Sequence, residues 1–200
     1  YREAQRWSHR PRPGLALLRL AQGRADIAAA MIRRQLEEGT SPAVRAAMLP
    51  AFVDIMLATD DIEAADAATV ELESRAEAAA SPLANAVAEH ARGALLLARG
   101  DSRVALDHLR RACGLWEELE APYEAARTRV LIAQACASLG DADGAALDFE
   151  AARWSFEQVG SAPDVARIDE LTRAPPQAAD EGHSLSRREL SDLHELHELS

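Results

Sequence analysis

Apolar residues recur at the same offsets behind a series of evenly spaced turn marks, and that pattern predicts the elements of the chain. After Gly100 small and large apolar residues fall at Ala105, Leu109 and Ala112, and after Gly140 they fall at Ala145, Phe149 and Ala152. Gly23 repeats the offsets with Ala28 and Ile32, and Asp60 repeats the first with Ala65. A small residue also stands seven positions before the turn at Ala16, Gly93 and Ala133. Steps of three and four residues are the period of one helical face. Between these marks lie Pro42, Pro82, Pro122 and Pro163, spaced by 40, 40 and 41 residues and preceded by Ser41, Ser81, Ala121 and Ala162. Proline suits the first helical turn, where its missing N–H has no partner to lose. The spacing predicts helix pairs at 13–22 with 25–38, 42–58 with 62–79, 82–98 with 101–119 and 122–138 with 142–159, then a short helix near 164–172.

A helical hairpin of this length cannot bury a whole apolar face alone, so each pair must stack on the next, and a stack of that kind curves and presents a concave surface. Composition agrees: 48% of the chain is hydrophobic but only 4% is aromatic. A core built chiefly from Ala, Leu and Val calls for close helix-on-helix packing.

Charge and chemistry narrow the function. The 33 acidic residues outnumber 22 basic ones for a net charge of -11, which repels phosphate backbones and anionic membrane surfaces. The longest uncharged apolar runs, such as Gly93 to Ala98, are too short to span a bilayer, so a cytoplasmic protein is expected. Cys113 and Cys136 lack metal-type spacing and sit in apolar helical context, where a thiol packs as a small hydrophobe. No nucleophile elbow, cysteine–histidine signature or glycine-rich phosphate loop occurs. Asp60-Asp61 and Glu117-Glu118 read as turn and outer-face charges rather than acid/base pairs. His194 and His197, flanked by Glu195 and Glu198, do not have the His-Glu-x-x-His spacing of a zinc protease. The expectation is a binding protein with no cofactor and no catalysis.

Gly93, Gly100, Asp101, Ala105, Leu109 and Ala112, and again Ala133, Gly140, Asp141, Ala145, Phe149 and Ala152, resemble the signature of the tetratricopeptide repeat. The resemblance implies an all-α, right-handed solenoid of about four helical hairpins with a C-terminal capping helix. The 40-residue period exceeds the 34 typical of that repeat, implying second helices longer by about a turn and a half. The same register places Asp54, His90, Arg127 and Gln134 on first-helix positions that commonly face the concave groove, where they either contact a ligand or peptide or simply solvate an inner surface. Trp116, Trp154 and Phe156, late in second helices, are expected to plug the interfaces between units. Trp7 either caps the array or belongs to a preceding repeat.

From Arg173 the composition turns polar, with paired prolines, which predicts a repeat domain over 1–172, a linker over 173–184 and a new start at 185–200. There, Leu185, Ser186, Arg188, Glu189 and Leu193 resemble the opening of a LuxR-type helix-turn-helix domain. Residues 13–23 and 121–131 resemble segments of actinobacterial LuxR-family regulators, in which helical repeats precede the DNA-binding domain. The family pattern would continue with Glu-Val-Leu and a recognition helix; this chain instead has Ser191, Asp192 and Leu193 and then His-Glu-Leu-His-Glu-Leu-Ser. Truncation, a frameshift or the choice of fragment would each account for that difference. The 17 residues from Ser184 hold two basic against four acidic side chains, so no DNA binding is expected from the chain alone. The expected function is the regulatory region of a LuxR-type transcriptional regulator. It would sense a small-molecule signal, bind a protein partner or self-associate, and pass the signal to a DNA-binding domain. The rival is a free-standing scaffold that holds a partner peptide or helix in its groove.

Overall fold

A computed structural model describes residues 13–38 and 41–173. These residues form nine helices and no strand: α1 Gly14–Ala21, α2 Ala25–Glu37, α3 Pro42–Ala58, α4 Ile62–Ala79, α5 Pro82–Ala98, α6 Ser102–Glu118, α7 Pro122–Ser138, α8 Ala142–Gln158 and α9 Ala162–Arg173. The protein is all-α over this span. Trp7, the residues at 185–193 that carry the second resemblance, and His194 and His197 lie outside it.

The starts are set by local chemistry. Pro42, Pro82 and Pro122 open α3, α5 and α7 at the first helical position. The Ser41 and Ser81 hydroxyls accept from the backbone N–H of Val44 and Ala84, each quenching a donor that has no intrahelical partner. In α4 and α8 the carboxylates of Asp61 and Asp141 do the same for Ala64 and Gly144 at 3.1 and 2.9 Å.

The ends follow one rule more regular than the sequence pattern suggests. Left-handed backbone occurs at Gly23 and then, from Asp60 on, at one position in every twenty residues: Asp60, Ala80, Gly100, Glu120, Gly140 and Gly160. At Asp60, Gly100, Glu120, Gly140 and Gly160 the following N–H reaches back to a carbonyl five residues earlier, as in Asp101 to Leu96, Ala121 to Trp116 and Asp141 to Cys136, each at 2.9 Å. This is the Schellman closure of a helix C-terminus. The turns within hairpins and the turn between hairpins at Glu120 therefore share one geometry, while the turn at Ala80 keeps the left-handed residue with only the Ala80 to Ala76 bond. Consequently the two helices of each hairpin from α3 on are nearly equal, α3, α5, α6, α7 and α8 having 17 residues and α4 18, whereas α1 and α2 have 8 and 13. The expected lengthening of the second helix alone is not what the chain does; both halves of the 40-residue unit are 20 residues long.

Each helix packs against the next, and α1, α3, α5 and α7 also touch in sequence as first helices of successive hairpins. The core runs through the chain as three overlapping clusters, from Ala16 and Ile32 through Ile55 and Leu95, then Leu109, Trp116 and Ile132, then Ala126, Ala152 and Phe156. Positions sharing an offset share an environment: Ala28, Ala65 and Ala105 are each fully buried, as are Ala16 and Ala133. Gly93 shows why the position must be small. A Cβ there would lie 2.5 Å from Cγ of the buried Leu109, so α5 and α6 meet backbone to side chain without an intervening group.

The expected aromatic plugs divide. Trp116 and Phe156 are buried at the interfaces, but Trp154 is 64% exposed. The helix allows no other outcome, since residues two apart point about 200° from one another and Phe156 already occupies the inner side.

Candidate functional site

Asp54 comes from the last turns of α3, His90 from the middle of α5 and Arg127 from the second turn of α7, and the structure brings them together. Arg127 Nη2 donates to Asp54 Oδ2 at 2.6 Å although 73 residues separate them, and Nη1 donates to Glu124 Oε2 at 3.1 Å, one turn earlier on α7. The guanidinium crosses from α7 to α3 over the helix that carries His90. The Asp54 carboxylate is the main reason the Arg127 pKa is raised; partial burial works against it. Side-chain exposures of 22% for Asp54 and 32% for Arg127 put this pair between a buried ion pair and a surface one, so water screens it only in part.

His90 is held by a two-step relay. Its Nδ1 lies 2.8 Å from Thr128 Oγ1, and that hydroxyl donates at 2.8 Å to the carbonyl of Glu124. Thr128 is fully buried. A hydroxyl has one proton to give: with it on the Glu124 carbonyl, Nδ1–H of His90 is the donor, and with it on Nδ1 the roles reverse. Burial, with the Arg127 charge adding to it and Asp54 opposing, lowers the pKa of His90 to about 4. At neutral pH the ring is uncharged. Its other nitrogen, Nε2, has no hydrogen-bond partner among the described residues, and it is not one of the buried unpaired atoms.

Gln134 lies seven residues beyond Arg127 on the same face of α7, half-buried, with no side-chain hydrogen bond among the described residues. It stands apart from the triad. The partly buried Leu97 and Leu131 occupy nearby turns of α5 and α7, at His90 plus seven and Arg127 plus four. Helical spacing puts all three on the polar cluster's face. An ionic centre flanked by aliphatic side chains on adjacent helices can hold a chain segment through charge and apolar contact together.

Three partners were not legible. Thr128 meets His90 only when α7 is packed against α5, Glu124 works within α7 through Arg127 and Thr128, and Tyr123, whose hydroxyl donates to Asp164 at 3.2 Å while its ring meets Phe156 edge-on at 5.6 Å, joins α7 to α9. The i,i+3 spacing of Glu124 and Arg127 was the one available signal.

Other titratable groups join neighbouring helices. Asp61 caps α4 and also meets Arg33 at 2.5 Å, and Glu117 and Asp148 share Arg129 at 2.6 and 3.1 Å. Cys113 and Cys136 are buried free thiols; burial pushes Cys113 up to about 11 and raises Cys136, leaving neither as thiolate at neutral pH. Among the described residues no group of three histidine, cysteine or carboxylate side chains is placed to hold a metal ion, and no helix is long and apolar enough to cross a membrane. No protein-family model matches the chain, and comparison with curated proteins finds no match.

Proposed function

We propose that the chain is the recognition or assembly module of a LuxR-type regulator. In this reading the helical hairpins form a right-handed, tetratricopeptide-like solenoid capped by α9. The observation that carries the recognition part is the Asp54–Arg127 pair with His90 between its ends: three polar side chains from three successive first helices converge on one face. Core packing gives no reason for that convergence, because each first helix already buries its apolar side. A concave face is where a helical array takes a peptide or a helix. The transcriptional part rests on the resemblance at residues 13–23, 121–131 and 185–193 and on nothing in the geometry.

Translating the DNA that follows the Leu190 codon in all three forward frames tests the regulatory half. Glu-Val-Leu followed by a helix-turn-helix supports it. Three frames without such a sequence leave the second reading, a free-standing acidic scaffold, which the polar cluster supports equally well because it asks nothing of a DNA-binding domain. In either reading the 200-residue chain does not retard duplex DNA at physiological salt, given its charge of -11; a sequence-specific shift in a gel would overturn this.

A further inference from the structure

The first hairpin leaves apolar side chains bare at positions that later hairpins bury. Leu18 lies five residues before the turn at Gly23, the place that Ile55, Leu95 and Ala135 take before Asp60, Gly100 and Gly140. Those three are fully buried, whereas Leu18 is 51% exposed, and Leu15, one turn earlier, is exposed with it. α1 packs against its own second helix α2 and against α3, as α3 packs against α4 and α5. What it lacks among the described residues is a helix before it, so the burial missing at Leu18 is the share that a preceding second helix supplies in later units. The stacking interface of the repeats is open at this end. At the other end α9 buries Ile168 and turns Arg167, Glu170 and Arg173 outward.

The last full hairpin is bare in a different place. Leu147, Ala151 and Trp154 follow steps of four and three along the side of α8 opposite the buried Ala145, Ala152 and Phe156; Leu147 is 70% exposed and Trp154 is nearly as bare. The same positions 40 residues earlier carry Asp107, Arg111 and Gly114, and 80 residues earlier Ala67, Glu71 and Ser74. An outer surface that only meets water needs no leucine and tryptophan there. The stripe has the spacing by which one helix packs against another.

Charge sorts the two patches. Arg19, one turn after Leu15, is bonded to Gln22, and Arg24 follows at the turn; neither meets a carboxylate among the described residues. On α8, Asp143 and Glu150 lie one turn from Leu147 on its own side and meet no arginine among the described residues. Two α8 stripes brought together would oppose carboxylates, and two α1 patches would oppose guanidinium groups, whereas α1 against α8 sets opposite charges around an apolar contact.

We infer that copies of this chain associate head to tail, the Leu147–Trp154 stripe of α8 in one copy covering Leu15 and Leu18 on α1 of the next. There α8 stands in for the second helix that α1 lacks and continues the stacking interface of the repeats. This deepens the assembly half of the proposed function and rests on it. Because the two surfaces differ, each pair keeps one of each free, so further copies add at either end. The patches are small, so the contact is weak.

Sedimentation velocity of the full chain from about 10 μM to about 1 mM is expected to show the average mass climbing with concentration to about twice that of the monomer. Leu18→Glu and Trp154→Glu each spoil one surface at an exposed side chain, so circular dichroism should keep its helical strength while each variant alone stays monomeric. Mixed in equal amounts, the two should form a dimer and nothing larger, because Leu18→Glu still offers α8 and Trp154→Glu still offers α1. A variant that associates by itself would show that like surfaces pair, which overturns the head-to-tail contact and keeps assembly. A mixture that stays monomeric while the unsubstituted chain associates has the same meaning. An unsubstituted chain that is monomeric throughout removes the contact and self-assembly together, leaving the recognition half to the cluster of Asp54, His90 and Arg127.

Discussion

Arg127 on α7 meets Asp54 on α3 at 2.6 Å across the width of α5, so a single ion pair ties together helices from hairpins that are not neighbours. With the His90–Thr128 hydrogen bond between α5 and α7, the pair resists any opening of the stack on this face. Partial exposure limits its strength. A double-mutant cycle with Asp54→Ala and Arg127→Ala is expected to give a coupling of about 1–2 kcal/mol in urea unfolding, with each single variant losing more than that because it strands a half-buried charge. A coupling indistinguishable from zero would mean the two side chains only coincide there.

Protonation of His90 links this cluster to pH. The pKa of the ring is about 4 in the folded chain against about 6.5 unfolded. Between those values the unfolded chain binds more protons, so stability rises with pH across the window. The contribution is complete above about 6.5 and is lost as the pH falls toward 4. His90→Gln keeps a donor for Thr128 and cannot titrate. Thermal unfolding at pH 5.5 and 7.5 should show a smaller pH difference for the variant than for the unsubstituted chain; equal differences would place the effect on other groups.

Gly93 sits where α5 runs closest to α6. With Leu109 Cγ 2.5 Å and its backbone nitrogen 3.2 Å from a Cβ position, Gly93→Ala forces a fully buried leucine off its rotamer or pushes the helices apart. The expected loss is about 1–3 kcal/mol, although alanine improves helix propensity by about 1 kcal/mol and would stabilise an open site. Gly114, where no atom lies within 4 Å of an added Cβ, is the control: Gly114→Ala should stabilise. Urea midpoints moving in the same direction for both would contradict the packing account.

The helix pattern was legible because it is local. Proline at the first helical position, glycine at the left-handed residue and apolar offsets of three and four residues all act within one or two turns, and α3, α4, α5 and α7 begin and end at the residues that spacing predicts. Half of the punctuation was nevertheless hidden. Ala80 and Glu120 take the same backbone conformation as Gly100 and Gly140, yet an alanine or a glutamate carries no signal for it, so the twenty-residue regularity shows only in the backbone. The cluster was legible to a similar depth. Repeat register selected Asp54, His90 and Arg127, but no rule of spacing indicates that Thr128 meets His90, because that contact depends on how deeply α5 and α7 interlock. Trp154 misled for a simpler reason: its place late in a second helix, like that of Trp116 and Phe156, suggested a burial that helix geometry forbids once Phe156 takes the inner side.

Those hidden turns make the last prediction. Left-handed φ values of 45° at Ala80 and 52° at Glu120 bring Cβ against the carbonyl that follows it, a strain of about 1–2 kcal/mol for an L-residue that glycine does not suffer. Glycine also loosens the unfolded chain, which returns about 0.4–1 kcal/mol of that gain. Ala80→Gly and Glu120→Gly are therefore each expected to stabilise by about 0.5–1 kcal/mol, and since the sites lie in different turns their effects should add. The reverse change at an equivalent position, Gly100→Ala, should destabilise by a similar amount, because its φ of 86° is retained by the Asp101 to Leu96 hydrogen bond. Equilibrium urea unfolding of the three variants and of the Ala80→Gly, Glu120→Gly double variant measures all of this. If the glycine variants lose stability, the strain at these turns is smaller than the entropy glycine adds, and the alanine and glutamate are held there by something other than tolerance.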